Sequence, residues 1–150
     1  MDGSPEHILV TADLHFGLYP EGDACTAELA EEACSADADA LVIAGDIGGN
    51  TPETFGQCLE LFEGLEGPKL LVPGNHDVWS KEGDSEGIYE KVLPQISREH
   101  GFHMLDRGPR VVGDVAFIGN IGWYDYSFRS RRLELSTEDY ARKSVPGLAQ

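Results

Sequence analysis

Three short apolar runs punctuate the first half of the chain: Ile8-Leu9-Val10-Thr11-Ala12, Ala40-Leu41-Val42-Ile43-Ala44 and Leu70-Leu71-Val72. None alternates with polar residues, so each reads as a strand buried on both faces. Helical patterns separate them. A β-α-β-α-β order implies parallel strands joined by right-handed crossovers. This constraint sets the ends of all three runs on the carboxyl edge of one sheet, which is where open α/β sheets bind ligands.

The intervening patterns support that order. Gly22 to Ala36 reads as a helix with an apolar stripe of Leu29, Ala30, Ala33 and Cys34, and a solvated face that includes Glu28, Glu31 and Glu32. Thr51-Pro52-Glu53 is a strong helix start: a cap, a residue preset for the first turn, and an acid at the positive dipole end. Phe55, Cys58, Leu59, Phe62 and Leu65 then recur at helical spacing, and Gly67-Pro68 ends the segment. Beyond Asp84, Ile88, Val92 and Ile96 stack four apart, with Pro94 expected to kink or split the helix and Gly101 to stop it. Val111-Val112 and Val115-Ala116-Phe117-Ile118, joined by Gly113-Asp114, read as a hairpin. A last short helix is predicted around Asp139, broken by Val145-Pro146-Gly147. At 150 residues and 41% hydrophobic content the chain suits one domain, residues 1–150, with a real core.

The residues after the three runs carry the chemistry. They are Asp13-Leu14-His15, Gly45-Asp46 and Gly74-Asn75-His76-Asp77. Singly, each is ordinary turn chemistry, because Gly takes positive φ and Asp or Asn bonds its own backbone. Together they gather hard oxygen ligands and imidazoles at neighbouring strand ends, a set suited to one or two divalent metal ions. The formal charge of −16 fits either a halophilic cytoplasm or an ordinary acidic protein. Such a surface repels nucleic-acid duplexes and favours a small phosphoester over a long polyanion. Three cysteines give no disulfide framework. Cys25 and Cys34 fall on opposite faces of the first helix, and the thiols are expected to be reduced and buried. No signal peptide or membrane-length apolar run is visible, so a cytoplasmic protein with no membrane partner is expected. Gly-x-Ser-x-Gly, Gly-Lys-Ser/Thr and Gly-x-Gly-x-x-Gly motifs are all missing, as is a basic stripe.

The ordered set resembles the calcineurin-like metallophosphoesterase family, and Gly119-Asn120-Ile121-Gly122-Trp123-Tyr124-Asp125 is similar to a segment that follows in one branch of it. The resemblance implies an α/β fold like the N-terminal half of a four-layer α/β/β/α sandwich, with a mixed, mainly parallel sheet. It implies divalent-metal-dependent hydrolysis of a phosphomonoester or phosphodiester, with manganese, iron or zinc equally suited to the ligands. Asp13 and His15 would hold the first metal, Asp46 would bridge, and Asn75 would bind the second through its amide oxygen. His76 would be the catalytic residue, protonating the leaving alkoxide. Asp77 would orient a neighbouring group or cap the next segment.

The chain departs from the family in two respects. Its later histidines, His100 and His103, stand outside any Gly-His-x-His motif, and His100 suits a helix end while His103 sits in strand-like alternation. The alternative is therefore a C-terminally truncated, inactive relative: a binding module or gene fragment whose missing second sheet invites a dimer or a partner chain to complete the fold. In addition, Asp46-Ile47-Gly48-Gly49-Asn50 lacks the Val-Asp-Arg-Gly continuation of the protein phosphatases, which points to small phosphoesters. Trp79, Trp123, Tyr124 and Tyr126 suit either a pocket wall or packing.

Overall fold

A computed structural model describes residues 4–80, 83–122, 127–128, 130–133 and 135–142 of the chain. Four strands, β1 (Ile8–Thr11), β2 (Ala40–Ala44), β3 (Lys69–Val72) and β4 (Phe102–Met104), pair in chain order and all run parallel. The first three coincide with the apolar runs. The predicted hairpin forms as β5 (Arg110–Val112) and β6 (Val115–Phe117), with Gly113 at φ +58° in its two-residue turn. It stands as a separate antiparallel ribbon beside the four-stranded sheet, which is parallel throughout among the described residues.

Strand order explains one correction. β1 is not buried on both faces: Ile8 is 38% exposed and Val10 67%. Each crossover advances the sheet in the same direction, so right-handed connections put every crossover helix on one face. On that face Leu9, Thr11 and Leu41 meet Leu29, Ala33 and Phe62 around a small cavity. Ile8 and Val10 point the other way. There the described residues bury Ala40 and Leu70 in the middle of the sheet but leave its β1 edge open.

Helix α1 (Pro20–Ser35) starts at Pro20, two residues before the expected position. Its buried stripe is Thr26, Ala30 and Ala33, while Leu29 stays 37% exposed, because the helix rides over the open β1 edge. The cysteine expectation also needs correction: Cys25 is exposed and Cys34 half-buried, and only Cys58 is buried. Burial pushes the Cys58 thiol up to about 12, with the Asp77 and Asp23 charges adding to the effect. Helix α2 (Pro52–Glu60) starts at the predicted cap, with Thr51 Oγ1 accepting from Thr54 N at 3.2 Å, but ends at Glu60 instead of running on to Gly67-Pro68. Phe55, Cys58, Leu59, Phe62 and Leu65 all enter the core with Leu41, Ile43 and Leu71.

Pro94 does not end its helical segment, but the helix changes character just before it. Short α3 (Ser85–Gly87) continues into a wider π turn, Ile88–Val92, and then into α4 (Leu93–Glu99). Proline lacks an N–H and crowds the carbonyl four residues back, and a π turn just before it relieves both problems. The last helix, α5 (Thr137–Arg142), opens on a reciprocal cap: Ser136 N donates to Asp139 Oδ2 at 2.9 Å and Asp139 N donates to Ser136 Oγ at 3.1 Å. Val145-Pro146-Gly147 lies outside the described residues. Among the described residues no helix is long and apolar enough to cross a membrane.

Asp39 fastens the start of β1. Its Oδ2 accepts from Glu6 N at 2.7 Å and His7 N at 3.0 Å, and its own N donates to His7 O at 2.8 Å. The His7 and Glu6 amides hold the Asp39 carboxyl below its ordinary 3.8. A depressed folded-state value gives support that is present above the unfolded value and lost on acidification. The Glu6 and His7 amides should therefore exchange with solvent faster once the pH falls below 3.8, measured by NMR hydrogen exchange; unchanged protection would remove the clamp. In urea denaturation, Thr51→Ala should cost about 1 kcal/mol through the lost cap. Phe55→Ala should cost about 3–5 kcal/mol through the cavity it leaves.

Candidate metal centre

The loops after β1 and β2 run side by side past the sheet edge. Asp13 N donates to Gly45 O at 3.0 Å, His15 N to Asp46 O at 2.9 Å and Phe16 N to Ile47 O at 3.0 Å. To make these contacts the backbone turns left-handed at Asp13 (φ +55°), His15 (φ +48°) and Asp46 (φ +50°). Among non-glycine residues, Asp, Asn and His tolerate that region best, because a short polar side chain bonds locally. The third loop closes from β3. A Cβ on Gly74 would collide with the backbone and carboxylate of Asp46, so only glycine lets the strand end approach.

His76 N donates to Asp46 Oδ1 at 3.0 Å, leaving Oδ2 turned towards His15 Nε2 at 4.0 Å. His15 Nε2 also lies 3.9 Å from Asp13 Oδ1. The His15 and His76 rings meet edge to face with centroids 4.7 Å apart. Ligand-capable atoms of His15, Asp46 and His76 lie within 4.8 Å of one another. Asp13 sits on the rim, with its side chain 75% exposed. Asp13, Asp46 and Asn75 line a cleft of about 490 Å3 whose other wall is Ile118 to Gly122. Asp46 thus belongs both to the histidine group and to the cleft wall.

The donor set fits a divalent cation. The 3.9 and 4.0 Å gaps are too long for hydrogen bonds and leave room for an ion between the ligands. His15 Nδ1 is buried without a hydrogen-bond partner, so the ring's polar surroundings are the two carboxylates at Nε2. Among the described residues no Lys or Arg lines the cleft. Two acids with no basic neighbour attract cations and repel an anionic ester.

Asp77 is the buried hub of these loops, 1% exposed. Its Oδ1 accepts from Ile47 N at 3.0 Å and Gly48 N at 2.7 Å, and its Oδ2 accepts from Gly74 N at 2.7 Å. It therefore neither caps its own segment nor touches a ligand side chain; it ties the β2 loop to the β3 loop. Burial pushes its carboxyl up to about 6, opposed by the three amides and reinforced by the Asp46 charge.

Asn50 is the residue that sequence reasoning missed. It too is left-handed, at φ +71°, and its Oδ1 lies 2.7 Å from His76 Nδ1. A carbonyl oxygen only accepts, so Nδ1 carries the proton and Nε2 is left for chemistry. The signal was an Asn closing a Gly-Gly turn, a residue that tolerates positive φ. Trp79 packs edge-on to His76, centroids 5.7 Å apart, and stays 55% exposed. Trp123, Tyr124, Asp125 and Tyr126 lie outside the described residues. The remaining histidines stand elsewhere: His7 is exposed before β1, His100 Nδ1 bonds Glu63 Oε1 at 2.6 Å, and His103 Nε2 donates to Gly108 O at 2.8 Å.

Asp77→Ala should lower stability by at least about 3 kcal/mol, since three buried amides lose their acceptor. Urea denaturation reads this directly, and an unchanged midpoint would show that the carboxylate does not hold the loops.

The family model of the calcineurin-like phosphoesterases matches residues 6–142 of the chain. A comparison with curated proteins gave no match.

Proposed function

The chain belongs to the calcineurin-like phosphoesterase family, a family of metal-dependent hydrolases, and from that premise we propose that it hydrolyses a small phosphomonoester or phosphodiester. The observation that carries the proposal is the position of Asp46, shared between the His15–His76 group and an acidic cleft with no basic lining among the described residues. An anionic ester has no reason to enter such a cleft unless cations stand between it and the carboxylates.

Asp13 and His15 would hold one divalent ion, Asp46 would bridge, and Asn75 would hold a second through its amide oxygen. When bound, such ions neutralise phosphoryl oxygens and lower the pKa of water. The protein's own part is positioning and proton transfer. Asp77 fixes the loop that carries Asp46, and Asp46 in turn fixes the backbone of His76. Asn50 holds Nδ1–H of His76, so in the imidazolium form the second proton sits on Nε2 and is the one given to the departing alkoxide, leaving the neutral Nδ1–H ring. Absence of an arginine after Asp46 favours small esters over phosphoproteins.

Turnover of p-nitrophenyl phosphate or its bis ester should depend on added manganese and vanish with a chelator. Asp46→Ala should drop to background; release from wild type no greater than from this variant would remove the hydrolase reading. His76→Gln should lower kcat by about 100- to 10,000-fold for an alkyl ester and far less for p-nitrophenol, whose departure needs no proton. Metal content measured on the same variant separates the two roles: unchanged content supports the proton donor, and loss of metal makes His76 a ligand. A second reading rests on the histidine supply, since only His15 and His76 of five reach the site. Tight metal binding without turnover of any ester would favour a metal-holding binding module.

A further inference from the structure

At the opposite end of the sheet from the metal centre, the turns into β3 and β4 enclose a cavity of about 450 Å3. Lys69, Arg98 and Arg110 line it, together with His103, Gly101 and Phe102. The chain has 11 basic residues against 27 acids, yet three of the basic ones share this cavity and, among the described residues, no acid lines it. In so acidic a chain, chance placement would put carboxylates beside these cations.

Their hydrogen bonding is also incomplete. Among the described residues, Arg98 and Arg110 have neither an ion-pair partner nor a side-chain hydrogen bond. Arg107 shows the contrast: it pairs with Glu90 at 2.7 Å and donates to Tyr89 O at 2.6 Å. Lys69 Nζ is anchored on Glu63 O at 3.3 Å and Leu65 O at 3.5 Å, contacts with neutral carbonyls that leave its charge uncompensated. It lies 5.7 Å from the Phe102 ring centroid, which helps fix its place. Nearby, Gly101 is left-handed at φ +77°, and a Cβ there would lie within ordinary contact distance of the Lys69 side chain. His103 is turned by its bond to Gly108 O.

We propose that this cavity is an anion site for the phosphoryl group of a small molecule, separate from the metal centre. Two arginines and one lysine lining a single open hollow supply the charge and the donors that a multiply charged tetrahedral oxyanion needs. The volume falls within the range of small-molecule pockets. From Lys69 to Gly74 the chain climbs about 17 Å along the strand direction, so the two sites do not share ligands. The site stands independently of whether the metal centre turns over an ester.

The probe is inorganic pyrophosphate, titrated into chelator-treated protein so that no metal recruits it to the other edge. In amide NMR spectra, Lys69, Gly101, Phe102, His103 and Arg110 should shift, while Asp46, Gly74 and His76 stay in place. Arg98→Gln with Arg110→Gln should weaken binding by at least about tenfold, the loss of roughly one charge-assisted contact. Both side chains are exposed, so the fold should survive, and unchanged shifts across α2 and β2 check this. Arg107→Gln, which removes one positive charge elsewhere, should leave affinity unchanged, and each of Arg98→Gln and Arg110→Gln alone should weaken it. Shifts confined to the metal edge, no shifts at millimolar pyrophosphate, or equal weakening by Arg107→Gln would each overturn the site. Citrate binding as tightly as pyrophosphate would overturn its assignment to phosphoryl groups.

Discussion

The carboxylate of Asp77 is the contact on which the rest of the metal edge depends. It is shielded from water, yet it keeps three backbone amides, those of Ile47, Gly48 and Gly74, in one cluster. Those amides belong to two loops that have no ladder hydrogen bonds between them beyond the end of the sheet. Without a shared acceptor, each loop would hydrate independently, and Asp46 and His76 would lose their common frame. Burial alone would drive the carboxyl towards neutrality, and the amide donors work against that. The site is thus held by a group that touches no ligand atom.

The sheet shows how far one rule of handedness reaches. Four parallel strands in chain order, each joined by a right-handed crossover, leave no choice about where the helices go. One face receives all of them and becomes the core around Phe55, Leu59 and Phe62. The other face is covered only in part, and Val10 on the edge strand stands in the open. The same topology aligns the strand ends, so the uncovered face and the assembled metal edge have a common origin.

Much of this was legible in the sequence. Ala40 to Ala44 announced β2, and Thr51-Pro52 announced α2, because capping and strand chemistry act locally. Asp13, His15, Asp46, Asn75 and His76 could be assigned to one edge because topology, not distance, brings them there. Other features had no local signature. Val10 looks the same in a run covered on one face or on two. The nine-position step from Cys25 to Cys34 separates their faces but does not say which faces water. Pro94 foretold a disturbed helix, but the π turn that absorbs it depends on how α4 packs onto β4 and α2. The Asn50–His76 contact depends on a single left-handed residue closing a turn, which leaves no periodicity to read.

Left-handed backbone at Asp13, His15 and Asp46 also has an energetic consequence. Each such residue holds a conformation that glycine would occupy at lower energy, a difference of about 1 kcal/mol or more per position. The chain bears that strain at the same three residues that bring donor atoms to the sheet edge, so the loops that position these side chains are also where its main chain is least relaxed.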